Sequence, residues 1–385
     1  MACIRMVDGF PDALLYGART PPPGLFRLAA GHYNAQQCFA HESTDWMTRK
    51  QQALIAVGLI ISAIFLILAF RNLNLEAALE SLRSANLWLV LAAAVWFMFT
   101  RVVISLRWQF LLRGIKRIRL WELFQLTCIG YMGNNVYPLR AGEILRIYLL
   151  QRNDRIPFAQ GTVITFAERT FDGLVLLTFV VVSLALLQLP DESLRAITSV
   201  AAPVFLIALL VFLTLAARPN WFRAAAAFVA RYLPLPLREI TLHLTDQILA
   251  SLQGLRTPAL LAGTVFFSYL TWALEATVYW MVAVAMGIET GYVSMLLVVG
   301  VVNLAGLIPA SPGQLGVFEF FTTLVLTTLG VPRDLALTYA LVVHVVVWLP
   351  ATVIGFIFLI RQGLGWRSIT RARDLEELEE KAAAT

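Results

Sequence analysis

Apolar runs that reach or approach the length of a bilayer crossing recur along this chain, at 53–70, 87–106, 174–189, 198–217, 260–285 and 335–360. A membrane-spanning helix needs about 20 predominantly apolar residues. The expected fold is therefore all-α, a polytopic membrane protein with six full spans. Composition agrees: 59% of residues are hydrophobic, only 14% are charged, and mean hydropathy is +0.74, whereas soluble domains carry roughly 25% charged residues.

Two hydrophobic stretches are interrupted by short polar hinges of nearly one plan. The first runs Asn134-Asn135-Val136-Tyr137-Pro138-Leu139-Arg140-Ala141-Gly142-Glu143; the second runs Asn303-Leu304-Ala305-Gly306-Leu307-Ile308-Pro309-Ala310-Ser311-Pro312-Gly313-Gln314. Non-helical backbone at membrane depth survives only where protein or a water-filled cavity shelters it. Two breaks, one in each half of a membrane protein, point to a transport site. The arm after the first hinge, 144–150, gives about 10 Å of helix, too short for a core of about 30 Å. A re-entrant helical hairpin is expected near 120–150 on this ground. A second is expected near 292–330, where the arm 316–329 is long enough to span if tilted.

Lys and Arg beside spans mark the cytoplasmic side. Arg49 and Lys50, then Arg107, Arg113, Lys116, Arg117 and Arg119, then Arg218, Arg223, Arg231 and Arg238, then Arg361, Arg367, Arg371 and Arg373 form four such groups. The intervening loops are sparse or balanced in charge. Both termini are thus expected in the cytoplasm, with the Pro138 hinge on the inner side and the Pro309 hinge on the outer side, as two gates of one pathway. Read in this order, 47–190 and 191–367 form an inverted-topology repeat, followed by a charged cytoplasmic tail at 368–385. Residues 1–46, with Pro21-Pro22-Pro23-Gly24 and no apolar core of signal-peptide length, read as a disordered extension or as sequence preceding a true start at Met47. The amphipathic segment 220–255 reads equally as a helix in the membrane interface or as a connector.

The net charge of +6 lies in loops beside spans, so no nucleic-acid partner is expected. Cys3, Cys38 and Cys128 are scattered and odd in number, and His32, His41, His243 and His344 are dispersed. Neither a disulfide framework nor a metal site is implied, and no cofactor is expected.

Ionisable groups inside spans are costly and usually face a cavity or a partner. Arg140, Glu143 and Arg146 stand three apart on a short helix after Pro138, with Gly142 permitting close backbone approach. Glu168, Arg169 and Asp172 form a second cluster, Glu275 stands alone near the centre of 260–285, Glu319 follows the second hinge, and His344 lies in the last run. Two readings stay open for the arginines: Arg140 and Arg146 contact a lipid phosphate, or they pair with Glu143, Glu168 or Asp172 and fix the hairpin. Glu275 has no neighbour in sequence to neutralise it. His344 reads as structural, hydrogen-bonded to another helix, with a proton relay as the alternative. Asn134, Asn135 and Asn303 are placed to satisfy broken backbone, and the helix after Pro312-Gly313 presents its positive dipole end to an anionic cargo.

Asn134-Asn135, Pro138, Arg140, Gly142-Glu143 and Arg146, then Glu168-Arg169 with Asp172, then Pro309, Ser311-Pro312-Gly313, Gly316 and Glu319 together resemble the transmembrane region of lysylphosphatidylglycerol synthases and their stand-alone flippase-like relatives, the UPF0104 membrane proteins. The resemblance covers about 47–367. It implies a lipid-translocating domain of the bacterial inner membrane, with Arg140, Glu143, Arg146, Glu168, Arg169, Asp172, Glu275 and Glu319 as substrate-binding residues. Asn134, Asn135, Pro138, Gly142, Asn303, Pro309, Ser311, Pro312 and Gly313 would form the hinges. Membrane lipids are the expected partners, alongside enzymes of lipid biosynthesis. The full-length synthases carry a soluble aminoacyl-transferase domain after the membrane region, and here a short charged tail stands in that place. A transporter rather than an enzyme is therefore expected, with a lipid-modifying enzyme or an assembly partner of an envelope lipid pathway as alternatives. No Ser-His-Asp set, Walker motif or HExxH occurs, and no catalytic residue is assigned.

Overall fold

The computed structural model describes residues 49–71, 73–187, 219–235, 237–239, 241–242, 245–246 and 258–363, all within one compact unit that begins at Arg49. The extension 1–46, the expected span at 198–217 and the tail 368–385 lie outside the described residues.

The described residues form helices and turns without strands. In chain order the helices are α1 (Arg49–Phe70), α2 (Leu75–Ser84), α3 (Leu87–Leu112), α4 (Leu120–Val136), α5 (Ala141–Asp154), α6 (Phe158–Leu186), α7 (Pro219–Ala230), α8 (Pro258–Ala285), α9 (Tyr292–Ala305), α10 (Val317–Thr328) and α11 (Arg333–Arg361). Four of them, α3, α6, α8 and α11, are long and apolar enough to cross a membrane; α1 joins them if it and α2, bent by 84°, count as one span. The bend is built by Asn74, whose side chain accepts hydrogen bonds from the Glu76 and Ala77 N–H groups and starts α2 afresh. Asn86 caps α3 in the same way. α2 exposes Leu75, Leu79 and Leu82 at the spacing of one helical face.

Three boundaries depart from the apolar pattern for one reason. α3 continues past 106 to Leu112, so Arg107 is a buried helix residue and not a loop charge marking the cytoplasmic face. α6 begins at Phe158, well before the apolar run at 174. α5 has 14 residues instead of seven, or about 21 Å. In each case charged residues continue the helix because partners elsewhere in the fold satisfy them, Asp154 at the end of α5 by Lys116 of the loop after α3, which a hydropathy reading cannot register.

Two apolar cores hold the bundle together. One gathers α8, α9, α10 and α11 around Tyr279, Val298, Leu326 and Tyr339; the other gathers α3, α4 and α5 around Trp108, Ile129, Met132 and Leu145. The α4–α5 hairpin closes on glycine. A Cβ added at Gly142 would collide with the carbonyl oxygen of Gly130 and the backbone of Asn134, and one at Gly133 would collide with the Gly142 backbone.

Candidate functional site

The two hinges meet. Pro138–Arg140 forms a single 3-10 turn and Pro312–Gln314 a turn of the same length in which Gly313 is already left-handed at φ 69°; both begin at proline and end on a non-glycine residue in the left-handed region, Arg140 at φ 52° and Gln314 at φ 60°. Such a conformation is uncommon outside glycine and is held by surrounding structure. The proline that opens the turn of the second hinge is Pro312, three residues beyond Pro309. Arg140 Nη2 donates to the Gly306 carbonyl at 2.5 Å, joining the hinges directly. The expected inner and outer gates therefore form one contact.

Around this contact lies a cavity of about 540 Å³, within the range of roughly 300–1,000 Å³ found for ligand sites. First-hinge residues Asn134, Asn135, Pro138 and Arg140 line it together with Glu143; second-hinge residues from Gly306 to Gln314, including Pro309, Ser311, Pro312 and Gly313, line it with Asn303. Arg169, Asp172 and Glu275 reach the wall from α6 and α8, beside the aromatic rings of Phe97, Tyr131, Trp272 and Trp348. Of the eight expected substrate-binding residues, Arg140, Glu143, Arg169, Asp172 and Glu275 line the cavity. Arg146, Glu168 and Glu319 stand one layer back.

That back layer is an ion-pair network. Arg107 reaches Glu168 at 2.5 Å and also pairs with Asp172. Arg146 takes the other Glu168 oxygen at 2.5 Å and stacks 4.0 Å above the Trp108 ring. Arg169 lies 3.4 Å from each of Glu143, Glu168 and Asp172, and the Trp272 indole N–H donates to Asp172 at 2.8 Å. Between the two readings left open for Arg146, this geometry is that of the structural pairing.

Glu275 is not alone. Arg101, wholly buried in α3, contacts its carboxylate at 2.6 Å and lies about 4 Å above the rings of Phe97 and Tyr131, where the guanidinium gains cation–π attraction. Sequence reading passed over Arg101 and misplaced Arg107. The signal for Arg101 was the same as for Glu275, one charge inside an apolar run.

The hinge amides work differently from expectation. The Asn135 amide donates to Thr352 Oγ1 at 2.9 Å and to the Trp348 carbonyl, anchoring the first hinge to α11. The Asn303 amide bonds the Val299 carbonyl of its own helix. At the second hinge Glu319 Oε2 accepts from the Gly316 N–H at 2.7 Å, a capping box that starts α10. Its other oxygen lies 2.5 Å from His344 Nδ1. α1 seals this side: the Ser311 N–H donates to Ser62 Oγ at 2.8 Å, while Ile55 and Leu59 complete the wall.

The family model of the lysylphosphatidylglycerol synthase transmembrane region matches residues 55–355. A UPF0104 membrane protein of Methanothermobacter thermautotrophicus is 27% identical over 295 residues, covering 70% of this chain and 83% of the relative. A UPF0104 membrane protein of Pyrococcus horikoshii is 19% identical, covering 80% and 97%. A glycosyltransferase, AglD, of Haloferax volcanii is 26% identical over 334 residues; the match takes in 79% of this chain and only 54% of that relative. All three organisms are archaeal. With its apolar helices and a match over most of its length, the chain is an integral membrane protein that belongs to the family of the lysylphosphatidylglycerol synthase transmembrane region.

Proposed function

We propose that this protein moves a lipid with an anionic headgroup between the leaflets of the cytoplasmic membrane, and that the headgroup sits in the cavity where the hinges meet. The observation that carries this reading is the state of Arg140. Five guanidinium groups belong to the cavity wall and its back layer (Arg101, Arg107, Arg140, Arg146 and Arg169), alongside the carboxylates Glu143, Glu168, Asp172 and Glu275, and Glu319, which pairs with His344. Four of the arginines form ion pairs. Among the described residues Arg140 has no carboxylate within ion-pair distance and donates only to a backbone carbonyl. The site therefore presents one guanidinium that no carboxylate neutralises directly, facing the cavity, with the bidentate geometry that suits phosphate.

Helix lengths support two re-entrant hairpins, and with the charge pattern of the loops we read the topology as six spans with both termini in the cytoplasm. The hairpin helices α4, α5, α9 and α10 have 17, 14, 14 and 12 residues, about 18–26 Å each, short of a core of about 30 Å. The shared proline-initiated turn with a left-handed last residue supports an inverted repeat with its site at the repeat interface. In this topology residues 47–190 and 191–367 are the two repeats.

Purified protein in liposomes containing fluorescent phosphatidylglycerol provides the test, with dithionite reporting the leaflet. Wild type is expected to equilibrate the lipid and Arg140→Gln to lose that activity. A wild type that moves neither this probe nor native lipid extract would sink the proposal.

A second reading is a lipid-modifying enzyme, or a membrane partner of one, and is favoured by the relative named as a glycosyltransferase. Against it, Glu143, Asp172 and Glu275 are each engaged by an arginine and none stands free as a base. A deletion strain that lacks a lipid product, instead of holding it in the wrong leaflet, would favour the enzyme.

A further inference from the structure

We infer that the Glu319–His344 pair is a proton-binding site whose occupancy controls the second hinge, so that the cavity is coupled to a proton gradient. The argument is a hydrogen-bond inventory. His344 Nε2 lies 2.9 Å from the carbonyl oxygen of Gly313. A carbonyl can only accept, so Nε2 carries a hydrogen. His344 Nδ1 lies 2.5 Å from Glu319 Oε1, a distance that places a second proton between them. Whether that proton is drawn on the ring or on the carboxyl, the pair holds two protons and is neutral as a unit. Glu319 Oε2 is committed to the Gly316 N–H.

All four polar atoms of the pair are therefore in use, and two residues of the hinge region, Gly313 and Gly316, are held by them. Loss of one proton leaves a neutral imidazole with a single N–H. That hydrogen serves either the Gly313 carbonyl or Glu319, and the site left out becomes an unpaired buried acceptor. His344 is confined by Phe318, whose ring stacks on it at 4.4 Å, so the ring has little freedom to compromise. Glu319 and His344 are both buried, yet His344 lines the cavity, which supplies the proton's route. The ionisable groups that share this cavity are Glu143, Asp172 and Glu275, the guanidiniums Arg140 and Arg169, and the phenols Tyr131, Tyr137 and Tyr279. The carboxylates among them are taken by arginines, whereas Glu319 has no guanidinium partner among the described residues. It is the acidic group left to share a proton.

Because the readout needs no substrate, this inference stands or falls separately from the lipid reading. The full chain is labelled with 15N-histidine, placed in lipid nanodiscs and titrated over the range of pH in which it stays folded. The His344 signals are identified by their absence in His344→Gln. Where His344 gives up a proton, hydrogen exchange of the 306–316 amides, normalised to a reference segment, is expected to accelerate across the same step. Glu319→Gln keeps the shape and still accepts from Gly316 but removes the carboxylate that shares the proton, so the step should move measurably in pH. If His344→Gln does not fold, Glu319→Gln with wild type gives the same comparison, the signal then being the one the substitution moves. A His344 that does not titrate, a titration unmoved by Glu319→Gln, or hinge amides indifferent to the step would each overturn the inference.

Discussion

Arg101 of α3 and Glu275 of α8 form a buried ion pair at 2.6 Å, 174 residues apart in the chain, with the guanidinium lying against Phe97 and Tyr131. Removing one partner of such a pair strands the other charge and costs about 3–5 kcal/mol, while replacing both by apolar residues is often neutral. Arg101→Met and Glu275→Leu should each lower the thermal unfolding temperature in detergent markedly, and the double variant should recover most of the loss. Glu275 also faces the cavity. A double variant that is stable but no longer moves lipid would assign Glu275 a role in the site; one that is stable and active would make the pair a structural clasp.

Arg140 and Arg146 stand in the same sequence cluster but belong to different layers, and their variants should separate accordingly. Arg146 is buried between Glu168 and the Trp108 ring, so Arg146→Met is expected to cost about 3 kcal/mol, seen as reduced yield and a lower unfolding temperature. Arg140→Gln gives up one hydrogen bond to a carbonyl, worth about 1 kcal/mol, and should leave unfolding nearly unchanged while abolishing lipid movement. Equal losses of stability in the two variants would contradict this division.

Much of the architecture is legible in the sequence because hydropathy reports directly on what a bilayer tolerates. The starts of α3, α8 and α11 fall within two residues of their apolar runs, and the proline and glycine of the hinges mark where helices break. What the sequence leaves dark is pairing at long range. The reach of α6 back to Phe158 and of α3 on to Leu112 depends on Arg107 meeting Glu168 and Asp172, and Glu275 looks isolated until α3 is laid beside α8. The meeting of the hinges is equally invisible, since the bond from Arg140 to Gly306 requires an arginine in a left-handed conformation that no local rule predicts.

The α4–α5 hairpin rests on backbone contact where Gly133 and Gly142 face each other. A methyl group at position 142 would overlap the Gly130 carbonyl and the Asn134 backbone, atoms that cannot swing aside as a side chain would. Gly142→Ala should therefore splay the hairpin and destabilise the protein by about 1–3 kcal/mol, the usual cost of overpacking. Gly173 also faces the cavity, but a Cβ there meets nothing within 4 Å. Gly173→Ala is thus the matched control and should unfold at or slightly above the wild-type temperature, because alanine favours a helix interior by up to about 1 kcal/mol.

The side wall made by α1 gives a last expectation. Gly58 lets α1 lie against the second hinge, where a Cβ would stand 3.0 Å from the Ala310 carbonyl oxygen, and one turn later Ser62 holds the Ser311 N–H. Ile55 and Leu59 of this helix close the cavity. Gly58→Leu should push α1 off the hinge at a cost of about 1–3 kcal/mol, opening a lateral path at the level of the headgroup site. A cysteine placed at Leu59 in a background lacking the native cysteines reports this through a water-soluble thiol reagent. Labelling is expected to rise several-fold in Gly58→Leu, to rise little in Gly58→Ala, and to fall again when excess anionic lipid is present. Unchanged labelling in Gly58→Leu would mean that the cavity opens somewhere other than beside α1.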